Sequence, residues 1–202
     1  MMRRSFVALA LALLTAAPAG GPALAATVSI VAFGDSWTVG RNLDNPQDAY
    51  PAQLEGALKA KGYDVSIWNA GENGDRTATA LTRVDTAVPP GTKIALVEFG
   101  PNDARAIGRE SPVDPAVTKA NLDALLRGLQ ARGVLVLLIG AKGLDYSDLA
   151  ARDGVAYEQW PKLGSSEIGG DGQHPNADGY KTVVAHMLPA VESLIARVKG
   201  GH

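Results

Sequence analysis

Short apolar runs alternate with longer segments of helical spacing along most of this chain. The apolar runs are rich in β-branched residues and end near glycine or asparagine, which is typical of strands. Proline and glycine mark the helix boundaries, as Pro115 and Gly133 do for the clearest helix. We predict strands at 28–33, 64–68, 93–99 and 134–139, and helices at 50–61, 77–88, 115–132 and 177–198.

Strands that alternate with helices indicate an α/β fold, in which a parallel sheet lies between two layers of helices. The run 134–139 is wholly apolar, as expected for a strand that is covered on both faces. In such sheets the ligand crevice lies beyond the carboxyl ends of the strands. We therefore expect the functional residues to follow the strands directly.

The first 25 residues have the pattern of a secretory signal peptide. Arg3 and Arg4 give a positive start, residues 6–17 are almost entirely apolar, and residues 23–25 read Ala-Leu-Ala, which suits a signal peptidase. The apolar run is short for a membrane span, which needs about 20 residues. We predict cleavage after Ala25, export to the periplasm or beyond, and a single domain over 26–202. The Arg-Arg pair leaves the Sec and twin-arginine routes both open.

Composition narrows the chemistry. The formal net charge is −2, and loss of Arg3 and Arg4 with the signal takes it to −4, without any basic run that would suggest nucleic-acid binding. The sequence contains no cysteine. Disulfides, thiolate metal sites and a cysteine nucleophile are therefore excluded.

Four polar or glycine-containing segments come after strands or before the last helix. Ser36 follows the first strand in Gly-Asp-Ser, Gly74 follows the second in Asn-Gly-Asp, and Asn102 follows the third. Asp171 and His174 stand three residues apart before the last helix, in a segment bent by Gly172 and Pro175. That spacing allows the Asp171 carboxylate to reach His174 Nδ1 and leaves Nε2 to face a serine.

This ordered set resembles the SGNH hydrolases, the GDSL esterase family. The resemblance implies a three-layer α/β/α sandwich with a mainly parallel, flavodoxin-like sheet. It also implies Ser36 as nucleophile, Asp171 and His174 as its partners, and an oxyanion hole of Ser36, Gly74 and Asn102. The implied activity is hydrolysis of a small-molecule or lipid ester through an acyl-enzyme, without a metal or organic cofactor. We expect a monomer without a stable membrane span.

The sequence departs from the family pattern at several points. Trp37 replaces the usual leucine, Pro101 removes one backbone donor from the asparagine loop, and Arg76 stands where small hydroxyl residues are frequent. We predict that Asp35, Trp37 and Pro101 contact the substrate. Only 30 residues separate Gly140 from Asp171, so we expect part of a helix, a strand or a covering loop to be absent.

The ester itself stays open at this stage. Short acyl, aryl, thioester and lysophospholipid substrates are all compatible with the pattern, and a carbohydrate O-acetylesterase is an alternative. Four aromatic side chains could line an acyl or a sugar site, although packing in the core is the simpler interpretation of each: Trp37, Tyr146, Tyr157 and Trp160. Two further alternatives are a non-catalytic periplasmic binding module and metal-assisted hydrolysis by Asp35, Asp103 and His174.

Overall fold

The computed structural model describes residues 27–105, 110–141 and 143–200. The proposed signal peptide lies outside these residues. Five strands lie in chain order at Val28–Gly34 (β1), Val65–Asn69 (β2), Ile94–Glu98 (β3), Leu135–Gly140 (β4) and Ala156–Gln159 (β5). Six α-helices lie at Ser36–Val39 (α1), Tyr50–Ala60 (α2), Thr77–Ala87 (α3), Pro115–Ala131 (α4), Ser147–Asp153 (α5) and Ala177–Gly200 (α6).

The strands form one parallel sheet in the order β2-β1-β3-β4-β5. This is the flavodoxin-like order, and it confirms the predicted fold class. The chain moves outward from β1 to β2 and then returns to the other side of β1 to form β3. The crevice at this reversal, between the carboxyl ends of β1 and β3, is where such sheets place their ligands.

Alternating side chains of the central strands supply two separate cores. Along β1, Ile30 and Ala32 face one layer while Val31 and Phe33 face the other. The first layer is built by α1, α2 and α6, and the second by α3, α4 and α5. The two buried faces explain why β1, β3 and β4 are apolar along nearly their whole length.

All eight predicted elements are present, with ends within two residues of the expected positions. The segment before Asp171, where we expected part of a helix, a strand or a covering loop to be absent, contains both a helix, α5, and a strand, β5. Four half-buried residues form β5 at the edge of the sheet. A short strand with polar residues on an edge has no clear apolar pattern, and only its pairing with β4 reveals it.

No helix in the described ranges is long and apolar enough to cross a bilayer.

Candidate active site

A tight turn directly after β1 holds Ser36. Asp35 caps the short helix α1, with its Oδ1 accepting a hydrogen bond from the backbone N–H of Trp37 at 2.9 Å. Position 34 requires glycine, because a Cβ there would lie 2.1 Å from Thr38 Oγ1 and 2.7 Å from the Glu98 carbonyl oxygen. The turn therefore packs tightly against β3 and presents Ser36 at the crevice.

Ser36, His174 and Asp171 form a continuous hydrogen-bonded chain. Ser36 Oγ lies 2.9 Å from His174 Nε2, although 138 positions separate the two residues. His174 Nδ1 lies 2.5 Å from Asp171 Oδ2. Ser36 and His174 are both buried. This geometry lets a hydroxyl proton pass to an imidazole whose other nitrogen is held by a carboxylate.

The Asp171 carboxylate is held by several donors. Its Oδ1 accepts the backbone N–H groups of Gln173 and His174 at 2.9 and 3.0 Å, and its Oδ2 also accepts the Asn42 side-chain amide at 2.6 Å. Partial burial raises the pKa of Asp171, but the two backbone donors and the His174 ring outweigh it and hold the pKa well below its usual range. The carboxylate therefore stays ionised and fixes the orientation of the ring.

The candidate oxyanion donors lie on neighbouring loops. Gly74 has a φ of 78°, which favours glycine, and an added Cβ would meet nothing within 4 Å. Among the described residues the backbone N–H groups of Ser36 and Gly74 have no acceptor. The Asn102 amide instead has both hydrogens engaged, donating to Asp35 Oδ2 at 2.8 Å and to the Asp75 carbonyl oxygen at 2.9 Å.

The three residues predicted to contact substrate occupy different positions. Trp37 lines an apolar cavity, as described below, and Pro101 is half-buried at the start of the loop after β3. Asp35 has no exposed surface, and both of its oxygens accept hydrogen bonds from the protein. The structure therefore places Asp35 beneath the site rather than at its surface.

An apolar cavity of about 530 Å³ lies beside Trp37, the residue that follows Ser36. Trp37 is near both the cavity and the Ser36–His174 pair, because its ring centroid is 6.2 Å from that of His174 and 5.1 Å from that of Trp160, which also lines the cavity. The remaining apolar lining comes from the loops after β4 and β5, namely Leu144, Pro161, Leu163 and Ile168. Tyr146 is buried in the core beneath α3, α4 and α5, and Tyr157 packs against that core.

The structure also brings in residues that the sequence analysis missed. Glu98, at the end of β3, is fully buried within hydrogen-bonding reach of Asp35. Burial raises the pKa of Glu98 well above its usual value and raises the pKa of Asp35 to about 6. Arg105 donates to Asn102 Oδ1 at 2.6 Å and to Gln173 Oε1 at 2.8 Å. The sequence did contain a signal for Glu98, because it is a single acidic residue in an otherwise apolar central strand.

The alternative of metal-assisted hydrolysis predicted a cluster of Asp35, Asp103 and His174. Asp103 is buried, and its carboxylate accepts the backbone N–H and the hydroxyl of Thr77 at 3.1 and 2.6 Å. In the ranges that the structure describes, no group of three or more histidine, cysteine or acidic side chains is arranged to hold a metal ion.

The fold and the polar site at its carboxyl edge define an ester hydrolase of the α/β/α type. The chain belongs to the GDSL-like lipase/acylhydrolase family, whose model matches residues 32–163. It is similar to the esterase TesA of Pseudomonas aeruginosa, with 26% identity over 189 residues that cover 85% of this chain and 91% of the relative. The protein is therefore an ester-hydrolysing enzyme.

Two further relatives agree. An arylesterase of Vibrio mimicus is 28% identical over 144 residues, which cover 68% of this chain and 66% of that protein. Among solved structures, the SGNH-hydrolase family esterase AlinE4 is 31% identical with a TM-score of 0.64, covering 85% of this chain and 98% of that one. All of these relatives are named as esterases, so the comparisons favour an enzyme over a non-catalytic binding module.

Proposed function

We propose that this enzyme is an exported serine esterase that cleaves esters of short to medium acyl acids through an acyl-enzyme on Ser36. The observation that carries the proposal is the 2.9 Å contact between Ser36 Oγ and His174 Nε2. In this mechanism His174 takes the Ser36 proton as the oxygen attacks the ester carbonyl, and then returns it to the leaving alcohol. Water activated by the same imidazole then releases the acid.

Asp171 serves the reaction by holding His174 in the tautomer with its proton on Nδ1. The ionised carboxylate also stabilises the imidazolium that forms when His174 takes the serine proton. Its three donors from Asn42, Gln173 and His174 keep the carboxylate in one orientation. No metal or organic cofactor enters the proposed steps.

The oxyanion would be bound by the backbone N–H groups of Ser36 and Gly74, which have no acceptor among the described residues. Asn102 is the third proposed donor. Both of its amide hydrogens are engaged in this structure, so its contribution requires one of them to be shared with the substrate oxygen. The bond to the Asp75 carbonyl is the neutral one, and it is the one we expect to be exchanged.

The proposed acyl site is the cavity next to Trp37. Its volume of about 530 Å³ lies in the range of small-molecule sites, and its walls are largely apolar. Each methylene of an acyl chain that enters it would contribute about 0.8 kcal/mol, or about a four-fold increase in kcat/KM. A cavity of this size favours short to medium chains over long lipids.

The test is a series of p-nitrophenyl esters from acetate to dodecanoate, assayed with the wild type, Ser36→Ala and the control Ser29→Ala. Ser29 lies at the opposite end of β1. We expect kcat/KM to rise with chain length until the cavity is filled and then to level off. Ser36→Ala should lose about 10⁶-fold in kcat, and Ser29→Ala should retain activity.

Several results would contradict the proposal. Undiminished activity of Ser36→Ala would exclude Ser36 as nucleophile. Activity confined to acetylated sugars would instead favour a carbohydrate O-acetylesterase. Inactivity of the folded wild type on p-nitrophenyl esters, acetylated sugars and acyl thioesters would exclude the proposed substrate class altogether.

A further inference from the structure

Two carboxyl groups lie against each other beneath the turn that carries Ser36. Asp35 directly follows the first strand and Glu98 ends the third, in the register that pairs Gly34 with Glu98. Both side chains have no exposed surface, and they lie within hydrogen-bonding reach of each other. The mechanism proposed above uses neither group directly, which leaves a buried acidic pair without an assigned role.

Two adjacent carboxylates without water cannot both be ionised at moderate cost. The hydrogen bonds indicate which one keeps a proton. Asp35 accepts two N–H donors, from Trp37 at 2.9 Å and from Asn102 at 2.8 Å, and both favour its charged form. The Thr38 hydroxyl donates to Glu98 Oε2 at 3.2 Å, and the backbone N–H of Asp35 also favours the charged form of Glu98. Glu98 Oε1 accepts no hydrogen bond from a donor among the described residues, and it is free to carry the proton. The proton therefore belongs on Glu98.

The groups around the pair supply little positive charge. Three buried tyrosines approach from other elements: Tyr50 of α2, Tyr180 of α6 and Tyr146 after β4. They act as neutral neighbours, since burial raises the pKa of each well above its usual value. The cationic groups that act on the pair are Arg105 and, when protonated, His174, and both act on Asp35. This asymmetry again leaves Asp35 charged and Glu98 neutral.

We propose that Glu98 is a positioning residue whose neutral carboxyl donates a hydrogen bond to Asp35 and thereby holds the Ser36 turn and the Asn102 amide in place. Asp35 is the link, because its two oxygens bind the backbone N–H of Trp37 and the side chain of Asn102. The inference rests on the proposed roles of Ser36 and Asn102. Glu98 would not touch the substrate, and it would act on the reaction through Asp35.

The proton on Glu98 also limits the negative charge near the reacting carbonyl. The pair carries one charge while Glu98 is neutral and two after it ionises. A second negative charge beneath Asn102 would oppose the oxyanion that forms in the transition state. It would also repel Asp35, whose carboxylate anchors the turn. Ionisation of Glu98 at high pH should therefore lower kcat more than it changes KM.

Two substitutions separate this role from simple packing. Glu98→Gln keeps the shape of the side chain and its hydrogen bonds, because the glutamine amide can donate to Asp35 and its oxygen can accept from Thr38. Unlike the carboxyl group, the amide cannot ionise. Glu98→Leu keeps much of the volume and removes the donor. Glu158→Gln is the matched control, because Glu158 lies in β5, at the edge of the same sheet, and pairs with His186 at the surface.

The experiment measures kcat and KM from pH 6 to 10 for these variants and the wild type. We expect Glu98→Gln to stay within about three-fold of the wild-type kcat at neutral pH and to lose the alkaline decline. Glu98→Leu should lose about 10²-fold in kcat, on the scale of one missing oxyanion donor, with KM nearly unchanged. Glu158→Gln should follow the wild-type profile. A Glu98→Gln enzyme as slow as Glu98→Leu, or one with the wild-type alkaline decline, would overturn the proposal.

A second measurement does not depend on catalysis. Infrared spectroscopy of the folded wild type at pH 7 should show the C=O stretch of a protonated carboxylic acid, and Glu98→Gln should lack it. Absence of that band from the wild type would overturn the proposal even if Glu98→Leu failed to fold. Loss of activity in Ser36→Ala together with a wild-type pH profile in Glu98→Gln would reject the role of Glu98 and leave the serine mechanism intact.

Discussion

Asp171 shows how much of the site depends on the ionisation of single side chains. It is the partner of His174 and is itself fixed by Asn42 and by two backbone N–H groups. Asp35 and Glu98 lie in the opposite situation, because burial raises the pKa of both. The site thus combines one carboxyl held in its charged form with a pair that shares a proton.

Asp171→Asn is expected to lower kcat by about 10⁴-fold, since an amide that donates to His174 Nδ1 would favour the wrong tautomer. The measurement is kcat on a p-nitrophenyl ester, with Asp44→Asn, at an exposed position, as control. Retention of most of the wild-type kcat in Asp171→Asn would contradict the role of Asp171.

The same variant tests how the ionisation of Asp171 contributes to the stability of the folded protein. The pKa of Asp171 is lowered in the folded protein, so its charged form stabilises the fold at pH values above about 4 and loses that effect as the pH falls further. The urea midpoint of Asp171→Asn should therefore lie below that of the wild type at pH 7 and approach it at pH 3. A difference that stayed constant with pH would reject this contribution.

At the scale of elements, close contact between β2 and α1 holds the site together. Gly71 follows β2, and a Cβ there would lie 2.6 Å from the Val39 backbone nitrogen and 2.9 Å from the Asp35 carbonyl oxygen. These are backbone atoms of the turn and helix that carry Ser36, so they cannot move without displacing it. The loop after β2 is therefore packed directly on the nucleophile helix.

Gly71→Ala is expected to destabilise the protein by about 1–3 kcal/mol, the usual range for overpacking, and to lower kcat as well. Gly128→Ala is the control, because an added Cβ meets nothing within 4 Å and alanine favours the α4 helix by about 0.5–1 kcal/mol. Urea unfolding and the ester assay measure the two effects. A Gly71→Ala protein as stable and active as the wild type would show that the contact does not constrain α1.

At the scale of the whole molecule, the strand order brings distant segments to one edge. The loops after β1, β2 and β3 are neighbours because β1 lies between β2 and β3. The loop before α6 completes the site from the far end of the chain, since His174 contacts Ser36. The cavity is added by the loops after β4 and β5. Every part of the proposed site therefore depends on the complete sheet.

The proposed export also concerns the whole molecule. The secreted enzyme should begin at Ala26, because Ala23 and Ala25 supply the small residues that a signal peptidase requires. Ala25→Leu should block cleavage, and the same substitution at Ala10, within the apolar run, should leave it unchanged. N-terminal sequencing of protein from the periplasm or medium measures both. An enzyme that stays in the cytoplasm with Met1 at its start would contradict the prediction.

The sequence alone was sufficient for the α/β class, for eight of the eleven α-helices and strands in the described ranges, and for the segments that hold Ser36, Asn102, Asp171 and His174. These features follow from local spacing, because apolar periodicity and glycine or proline positions act within a few residues. Three elements escaped it. α1 and α5 are helices of only four and seven residues, and β5 is a four-residue edge strand.

The sheet order and the pairing of Ser36 with His174 were expected from the family resemblance, not from the local pattern. The tertiary structure shows the order β2-β1-β3-β4-β5 and the 2.9 Å contact, and it alone reveals the cavity beside Trp37. It also brought Glu98 against Asp35 and buried Asp35, which the sequence pattern had suggested as a substrate contact. The physical reason is that these contacts join residues far apart in the chain. Strand pairing and burial bring them together, and neither is encoded in the local pattern around one residue.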